Sequence, residues 1–260
     1  SGPAGLMAAE VLAQAGVSVT VCEAKPSVGR KFLMAGKSGL NITKAENADE
    51  FRAAYAEKSA WLMPMLDAFD PDAIQEWARG LGEELFTGTT GRVFPKAMKA
   101  SPLLRAWLAR LNSLGVTFNT RWRWTGQSDG EQCFDTPDGP QNLKADVTIL
   151  ALGGASWRRL GSDGEWVDIL AKQGVPVTPF APANAGIQIE WSKFMDKHLG
   201  AALKGIALRS GQYTSRGEAV LSRKGIEGGG VYSVSRGIRE GHSLVVDLAP
   251  DLRVDVVAQK

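Results

Sequence analysis

Cysteine and histidine are scarce in this chain of 260 residues, with two of each. Cys22 and Cys133 lie far apart and form no C-x-x-C pair. A disulfide scaffold and a thiolate zinc site are therefore excluded, and a reducing cytoplasm is the expected setting. His198 and His242 alone are too few for a His-rich metal centre. No apolar run approaches the roughly 18 residues of a membrane span, so no membrane partner is expected. A dominant charge is missing too: 30 basic against 28 acidic side chains leave a net +2. That is too little to draw the whole molecule onto nucleic acid. What is present, 44% hydrophobic and 22% charged residues, is ordinary globular composition, in a length that allows one large domain or two modest ones. The chemistry must come from carboxylates or from a borrowed cofactor.

The chain opens on Ser1-Gly2-Pro3-Ala4-Gly5 without initiator Met or signal segment, and is read as starting inside a motif. Residues 3–15 repeat apolar positions at helical spacing up to Gly16, and residues 17–23 alternate valines as a strand does. Residues 26–44 have no period and read as a long loop. Residues 48–81 read as helical, with Asp70-Pro71 as a start signal; Ser101-Pro102 repeats that signal for a helix carrying Leu103, Leu104, Trp107, Leu108 and Leu111 on one face. Short alternating pieces from Val116 to Phe134 suggest a β-meander, and the apolar run 146–152 a strand buried on both faces. Residues 164–174 read as a further helix. A proline-rich break at 179–184 precedes the Gly-punctuated segments GIQIE, GIALR and GEAVL. A domain boundary is therefore placed near residue 183, giving domains 1–182 and 183–260. Charge is uneven locally: residues 45–84 hold ten acids and three bases, residues 85–128 seven bases and no acid. Two readings stand, mutual neutralisation of neighbouring layers or an anion channel lined by Arg92, Lys96 and Lys99.

Three segments carry chemistry. Ser1 to Gly5 matches the tail of G-x-G-x-x-G, with the first glycine and the preceding strand expected upstream. Gly2 then lets backbone approach a pyrophosphate, Gly5 lets the helix pack on the sheet, and the helix N-terminus offers N–H groups to phosphate. Glu23 ends the next strand where an acid hydrogen-bonds a ribose hydroxyl, which disfavours the 2′-phosphate of NADP at this position. Gly153-Gly154 closes the apolar run, at the sheet edge where a dinucleotide binds in open parallel sheets. Between them, Gly29-Arg30-Lys31 and Gly36-Lys37-Ser38-Gly39-Leu40-Asn41 interleave glycine with cationic and amide side chains, as a loop around an anionic cofactor does.

Taken together, GPAG, Glu23, GRKFLMAGKSGLNITK, GRVFPKAMKAS and ILALGGASWRRLGSDG resemble the family of FAD-binding oxidoreductases that includes aminoacetone oxidase and the BaiN-type proteins. The resemblance implies an α/β fold, a flavoprotein-type Rossmann domain with an inserted β-rich domain starting near residue 183. It implies that Gly2, Ala4, Gly5, Glu23, Arg30, Lys31, Gly39 and Asn41 border FAD, with Ala151, Gly153 and Gly154 beside it and the backbone of Trp122 supporting the adenine. The chain departs from the family where relatives carry a GGGRCN-like stretch (here Gly36 to Asn41) and a G-L-S-G-P-like turn (here Gly225 to Gly229). The family's segment that closes over the flavin has no counterpart before Lys260, so a truncated piece is expected.

The expected function is an FAD-dependent oxidoreductase passing hydride between a small organic substrate and the flavin. It is either amine oxidase-like or an NAD(P)H-dependent reductase of unsaturated rings or enones. The alternative is a non-catalytic or nucleic-acid-associated flavin-binding protein using the basic residues 92–123. No catalytic side chain is singled out; His198, His242, Arg92, Lys37, Trp157, Trp166 and Trp191 are the candidates for substrate or flavin contacts.

Overall fold

The computed structural model describes residues 1–36 and 39–252. The chain divides into two compact units, Ser1–Thr178 and Pro179–Lys260.

In the first unit, Pro3 at the first helical position and a run of alanines start α1, Pro3–Gln14, which stops before Gly16. Strand β1 is Thr20–Glu23. Helix α2, Arg30–Ala35, lies inside the stretch expected to be loop. Its six residues are too few for periodicity to register, and contact with a later helix holds it instead. Strand β2, Thr43–Lys44, precedes α3, Ala48–Ala53, where the Asn47 side chain accepts the Glu50 N–H at 2.9 Å. Helices α4, Ser59–Ala68, and α5, Pro71–Gly80, follow. The expected cap of α5 is present: Asp70 Oδ1 accepts the N–H groups of Asp72 and Ala73 at 3.0 and 2.8 Å. Strands β3, Leu85–Thr87, and β4, Arg92–Pro95, form an antiparallel sheet with β2 in the order β2-β4-β3.

Helix α6, Ala100–Ser113, starts one residue before the Ser101-Pro102 signal and has no side-chain cap. Its stripe of Leu104, Trp107 and Leu111 packs against Leu6, Ala9 and Ala13 of α1. A second cluster, Leu40, Ala78, Ala100 and Leu103, ties α5 and α6 to the loop after α2. Strand β5, Thr117–Thr120, pairs in parallel with β1, Thr20 opposite Thr117 and Glu23 opposite Thr120. It therefore leaves the expected meander, which consists of β6, Arg123–Ser128, β7, Glu131–Thr136, and β8, Gly139–Leu143. Parallel pairing needs a long crossover, and the helices between β1 and β5 supply it.

Residues 146–152 are not the doubly buried strand that the sequence suggests. No strand is assigned there, and Val147, Ile149 and Leu150 are exposed. An apolar run becomes a central strand only with hydrogen-bonded neighbours, and among the described residues none lies along it. Helix α7, Trp166–Lys172, ends the unit's regular structure.

The second unit is a five-stranded antiparallel sheet: β9, Ile187–Gln188; β10, Ala202–Ser210; β11, Tyr213–Ser222; β12, Gly225–Glu227; and β13, Val245–Asp247. The order is β13-β10-β11-β12-β9. The expected turn at Gly225 to Gly229 is β12 followed by the start of α8, Gly229–Arg239. Val231 and Val234 of α8 join Ile206, Leu208, Ala219, Leu221 and Ile226 in this unit's core.

Candidate functional site

The start of α1 is open. Gly2 caps it in extended geometry (φ −77°, ψ −175°), and no side chain accepts from its first turn. Leu6 N–H bonds Gly2 O at 3.0 Å, and Pro3 has no N–H, so the orphan donors are those of Ala4 and Gly5. Gly5 allows a close approach: a Cβ there would lie 3.3 Å from Ala151 Cβ.

Glu23, at the end of β1, faces the same end of α1. Its Oε1 accepts Lys25 N–H at 2.7 Å, and Oε2 accepts from the Ser1 hydroxyl at 2.5 Å and from the Ser1 nitrogen at 3.0 Å. Trp122 N–H donates to Glu23 O at 2.9 Å. The Trp122 backbone donor expected to support adenine is thus engaged by β1, and its ring packs 5.4 Å from that of Phe134.

A 3.0 Å bond from Gly29 N–H to Ser1 O brings the start of α2 beside that of α1. Gly29 is left-handed (φ +67°), and a side chain there would run into Leu104. Next to it, Arg30 donates from Nη1 to Ser27 Oγ at 3.2 Å, while its Nε is buried with no hydrogen-bond partner among the described residues. Lys31 Nζ reaches Ser156 Oγ at 2.6 Å. Gly153 O accepts Trp166 Nε1 at 3.1 Å, and Gly154 O accepts Ser162 Oγ at 2.9 Å. These contacts join Gly2, Ala4, Gly5, Glu23, Arg30, Lys31 and the 151–154 segment into one constellation, which Trp122 reaches through its backbone. Gly39 is seated against Met98 and Phe94, and Asn41 is exposed. No hydrogen bond among the described residues ties either of them to the constellation. Lys37 lies outside the described residues.

Lys25, Ser156 and Ser162 were not among the residues singled out from the sequence, whereas Trp166 was. Ser156 meets Lys31 from a distant segment and Lys25 presents only its backbone N–H to Glu23, while the G-S-D-G turn around Ser162 left a local trace. Of the basic residues proposed as an anion channel, Lys96 is paired with Glu84 at 2.5 Å, which joins the acidic stretch to the basic one. Arg92 and Lys99 are exposed. His198 and His242 both lie in the second unit; His242 packs against Gly211. Trp157 is exposed beside its bridge to Ser162, and Trp191 donates Nε1 to Ser222 O at 2.8 Å. No helix among the described residues is long and apolar enough to cross a membrane.

A donor-lined helix start and a buried guanidinium nitrogen without an acceptor, with the Glu23 carboxylate beside them, suit a dinucleotide. The first two need an anionic ligand group to complete their hydrogen bonding.

Comparison with known proteins agrees. A family model described as HI0933-like protein Rossmann domain matches residues 1–235. The 3-dehydro-bile acid delta(4,6)-reductase of Clostridium scindens is 25% identical over 268 residues, covering 98% of this chain and 64% of that protein. The ribosomal RNA dihydrouridine synthase of Haemophilus influenzae is 27% identical over 276 residues, with the same 98% and 64% coverage. The chain thus spans 64% of the length of each of these curated relatives. Among solved structures, Thermovibrio ammonificans THI4 overlaps 67% of this chain and 60% of its own at 18% identity and a TM-score of 0.41. BexE overlaps 94% of this chain and 50% of its own at 17% identity and 0.45.

Proposed function

The chain belongs to the HI0933-like Rossmann domain family, and from that premise we propose that it is the FAD-binding part of an oxidoreductase that reduces a carbon–carbon double bond in a ring. The observation that carries the cofactor reading is the pairing of an uncapped α1 N-terminus with the buried, unpartnered Arg30 Nε, joined through the Gly29–Ser1 hydrogen bond. The Ala4 and Gly5 N–H groups and Arg30 would hold the pyrophosphate. Glu23 would take the ribose hydroxyls in exchange for Ser1, and the Gly5–Ala151 contact keeps α1 close to the segment beside the cofactor. Lys31, Gly39, Asn41, Gly153 and Gly154 are the further residues assigned to its surroundings. FAD, when bound, supplies the hydride-transferring centre, so the polypeptide needs no side-chain nucleophile.

The direction, reduction rather than amine oxidation, is supported by the names of the two curated relatives, a reductase and a dihydrouridine synthase, each of which denotes reduction of a ring. NAD(P)H is the proposed electron donor. The test is to titrate the purified chain with FAD by absorbance, then add NADPH anaerobically and follow bleaching, with a cyclic enone added last. Saturable uptake, bleaching by NADPH and recovery of the oxidised spectrum on enone are expected. A chain that takes up no FAD overturns the cofactor reading. Bleaching by aminoacetone but not by NADPH replaces the reductase reading with an amine oxidase.

A further inference from the structure

Gly153 and Gly154 are adjacent glycines, and no pair of residues has a wider choice of backbone conformation. Here that choice is removed from outside. Gly153 is left-handed (φ +75°); its carbonyl accepts Trp166 Nε1 at 3.1 Å, and the carbonyl of Gly154 accepts the buried Ser162 Oγ at 2.9 Å. Both peptides are trans, so in each plane the N–H points opposite to the carbonyl. The N–H groups of Gly154 and Ala155 therefore face away from the two donors, and neither finds an acceptor among the described residues.

The turn 157–166 that carries both donors is itself anchored. Trp157 and Ser162 pair through reciprocal backbone hydrogen bonds of 3.0 and 3.2 Å. Gly161 is left-handed (φ +96°) and seated on Lys25, where a Cβ would lie 3.2 Å from Lys25 Cγ. Arg123, the first residue of β6, then reaches two carboxylates of the turn: Nη1 donates to Glu165 Oε2 at 2.9 Å and Nη2 to Asp163 Oδ2 at 3.3 Å. Arg158 donates to the other oxygen of Glu165, which balances two cations with two carboxylates. The neighbour of Arg123, Trp122, is fixed to β1 through its N–H bond to Glu23 O. Exposed ion pairs contribute little to stability. A planar guanidinium shared between two carboxylates contributes placement instead.

We infer that Arg123 is a positioning residue for the bound cofactor: through Asp163 and Glu165 it holds the 157–166 turn, and the turn aims the Gly154 and Ala155 N–H groups at an anionic or carbonyl group of the ligand. That the ligand is FAD rests on the reading proposed above, whereas the ionic hold on the turn does not.

The test combines hydrogen exchange of the full chain, followed by NMR without FAD, with absorbance titration by FAD. The probes of the turn are the Trp157 and Ser162 amides and the Trp166 indole N–H. In Arg123→Ala their exchange is expected to rise about tenfold, as release of roughly one residue's backbone freedom implies, with the amides of α1 and α6 unchanged. Wild type is expected to approach the same rates in about 1 M salt, where the screening length is about 3 Å, and Arg123→Ala to show no such response. Arg123→Lys, whose ammonium lacks the planar fork, is expected to fall between the two. Arg159→Ala removes an exposed cation of the same turn that has no ion-pair partner among the described residues, and is expected to match wild type. FAD affinity is expected to fall about tenfold in Arg123→Ala through the same release. Unchanged exchange in the turn overturns the inference, and so does a rise that extends to α1 and α6, which makes Arg123 a general stabiliser. Faster exchange with unchanged FAD affinity overturns the positioning role. Wild type that takes up no FAD overturns the earlier cofactor reading, and the exchange rates then decide the hold on the turn by themselves.

Discussion

Among single residues, Glu10 holds the first unit together most visibly. It is 2% exposed on α1, and its Oε2 accepts both Trp77 Nε1 at 3.0 Å and Trp107 Nε1 at 2.6 Å. Its Oε1 accepts Arg110 Nη1 at 2.8 Å. One carboxylate thus ties α1, α5 and α6, with the two indoles crossing edge to face at 4.8 Å. Glu10→Ala strands one buried and one half-buried indole N–H and a guanidinium, and a loss of about 3–5 kcal/mol is expected. Urea unfolding followed by tryptophan fluorescence would measure it. The sequence held a signal for this residue: Leu6, Glu10 and Ala13 share one face, so an acid lies in the middle of an apolar stripe. Glu23 was legible for its position at the end of β1, whereas its contact with Ser1 was not, because the two meet only in three dimensions. Glu23→Gln should weaken FAD about tenfold or more, the worth of a hydrogen bond to a charged group; an unchanged dissociation constant in the absorbance titration would show that Glu23 has no such role.

At the scale of elements, legibility followed local chemistry. α5 announced itself through Asp70-Pro71, α6 through its leucine stripe and α1 through alanine and its glycine stop. Helices α2 and α8 did not, for different reasons. α2 is a single pair of turns between two glycines, and a Cβ on Gly36 would lie 2.5 Å from Ala100 Cβ, so the fit to α6 decides its conformation. α8 reads GGVYSVSRGIR, mostly poor helix formers apart from its two arginines. Its glycines serve packing: a Cβ on Gly230 would lie 2.8 Å from Glu218 O, and one on Gly237 2.2 Å from Ser210 O. Two effects then oppose each other in Gly237→Ala. Helix propensity favours alanine by about 1 kcal/mol, while the clash with strand backbone costs about 1–3 kcal/mol. Net destabilisation is expected, against a neutral or slightly stabilising Ser233→Ala on the exposed face of the same helix. Chemical denaturation of the two variants side by side checks the sign. The 146–152 segment shows the converse failure: its composition fits a strand, but strand formation depends on neighbours that composition does not specify.

For the molecule as a whole, the structure divides the chain between Thr178 and Pro179, a few residues before the boundary that the proline-rich break suggested near residue 183. The sheet orders inside each unit were not legible, since pairing β1 with β5 skips five helices, α2 to α6, and the strands β2 and β9 carry only two residues each. The stretch 178–184 is exposed and has no regular structure, so brief digestion with a nonspecific protease is expected to cut there first. Mass spectrometry would identify two fragments meeting within it; initial cleavage inside α6 or β10 would contradict the division.

The exposed run around Val147, Ile149 and Leu150 has a further consequence for how the molecule behaves in company. An extended, apolar segment whose backbone has no strand partner among the described residues is a docking edge for a further strand, and a net charge of +2 offers little long-range repulsion between chains. Wherever that edge stays open, colloidal stability is governed by these few residues rather than by the average polarity of the surface, and salt, which screens what repulsion there is, narrows the concentration range in which the chain stays dispersed.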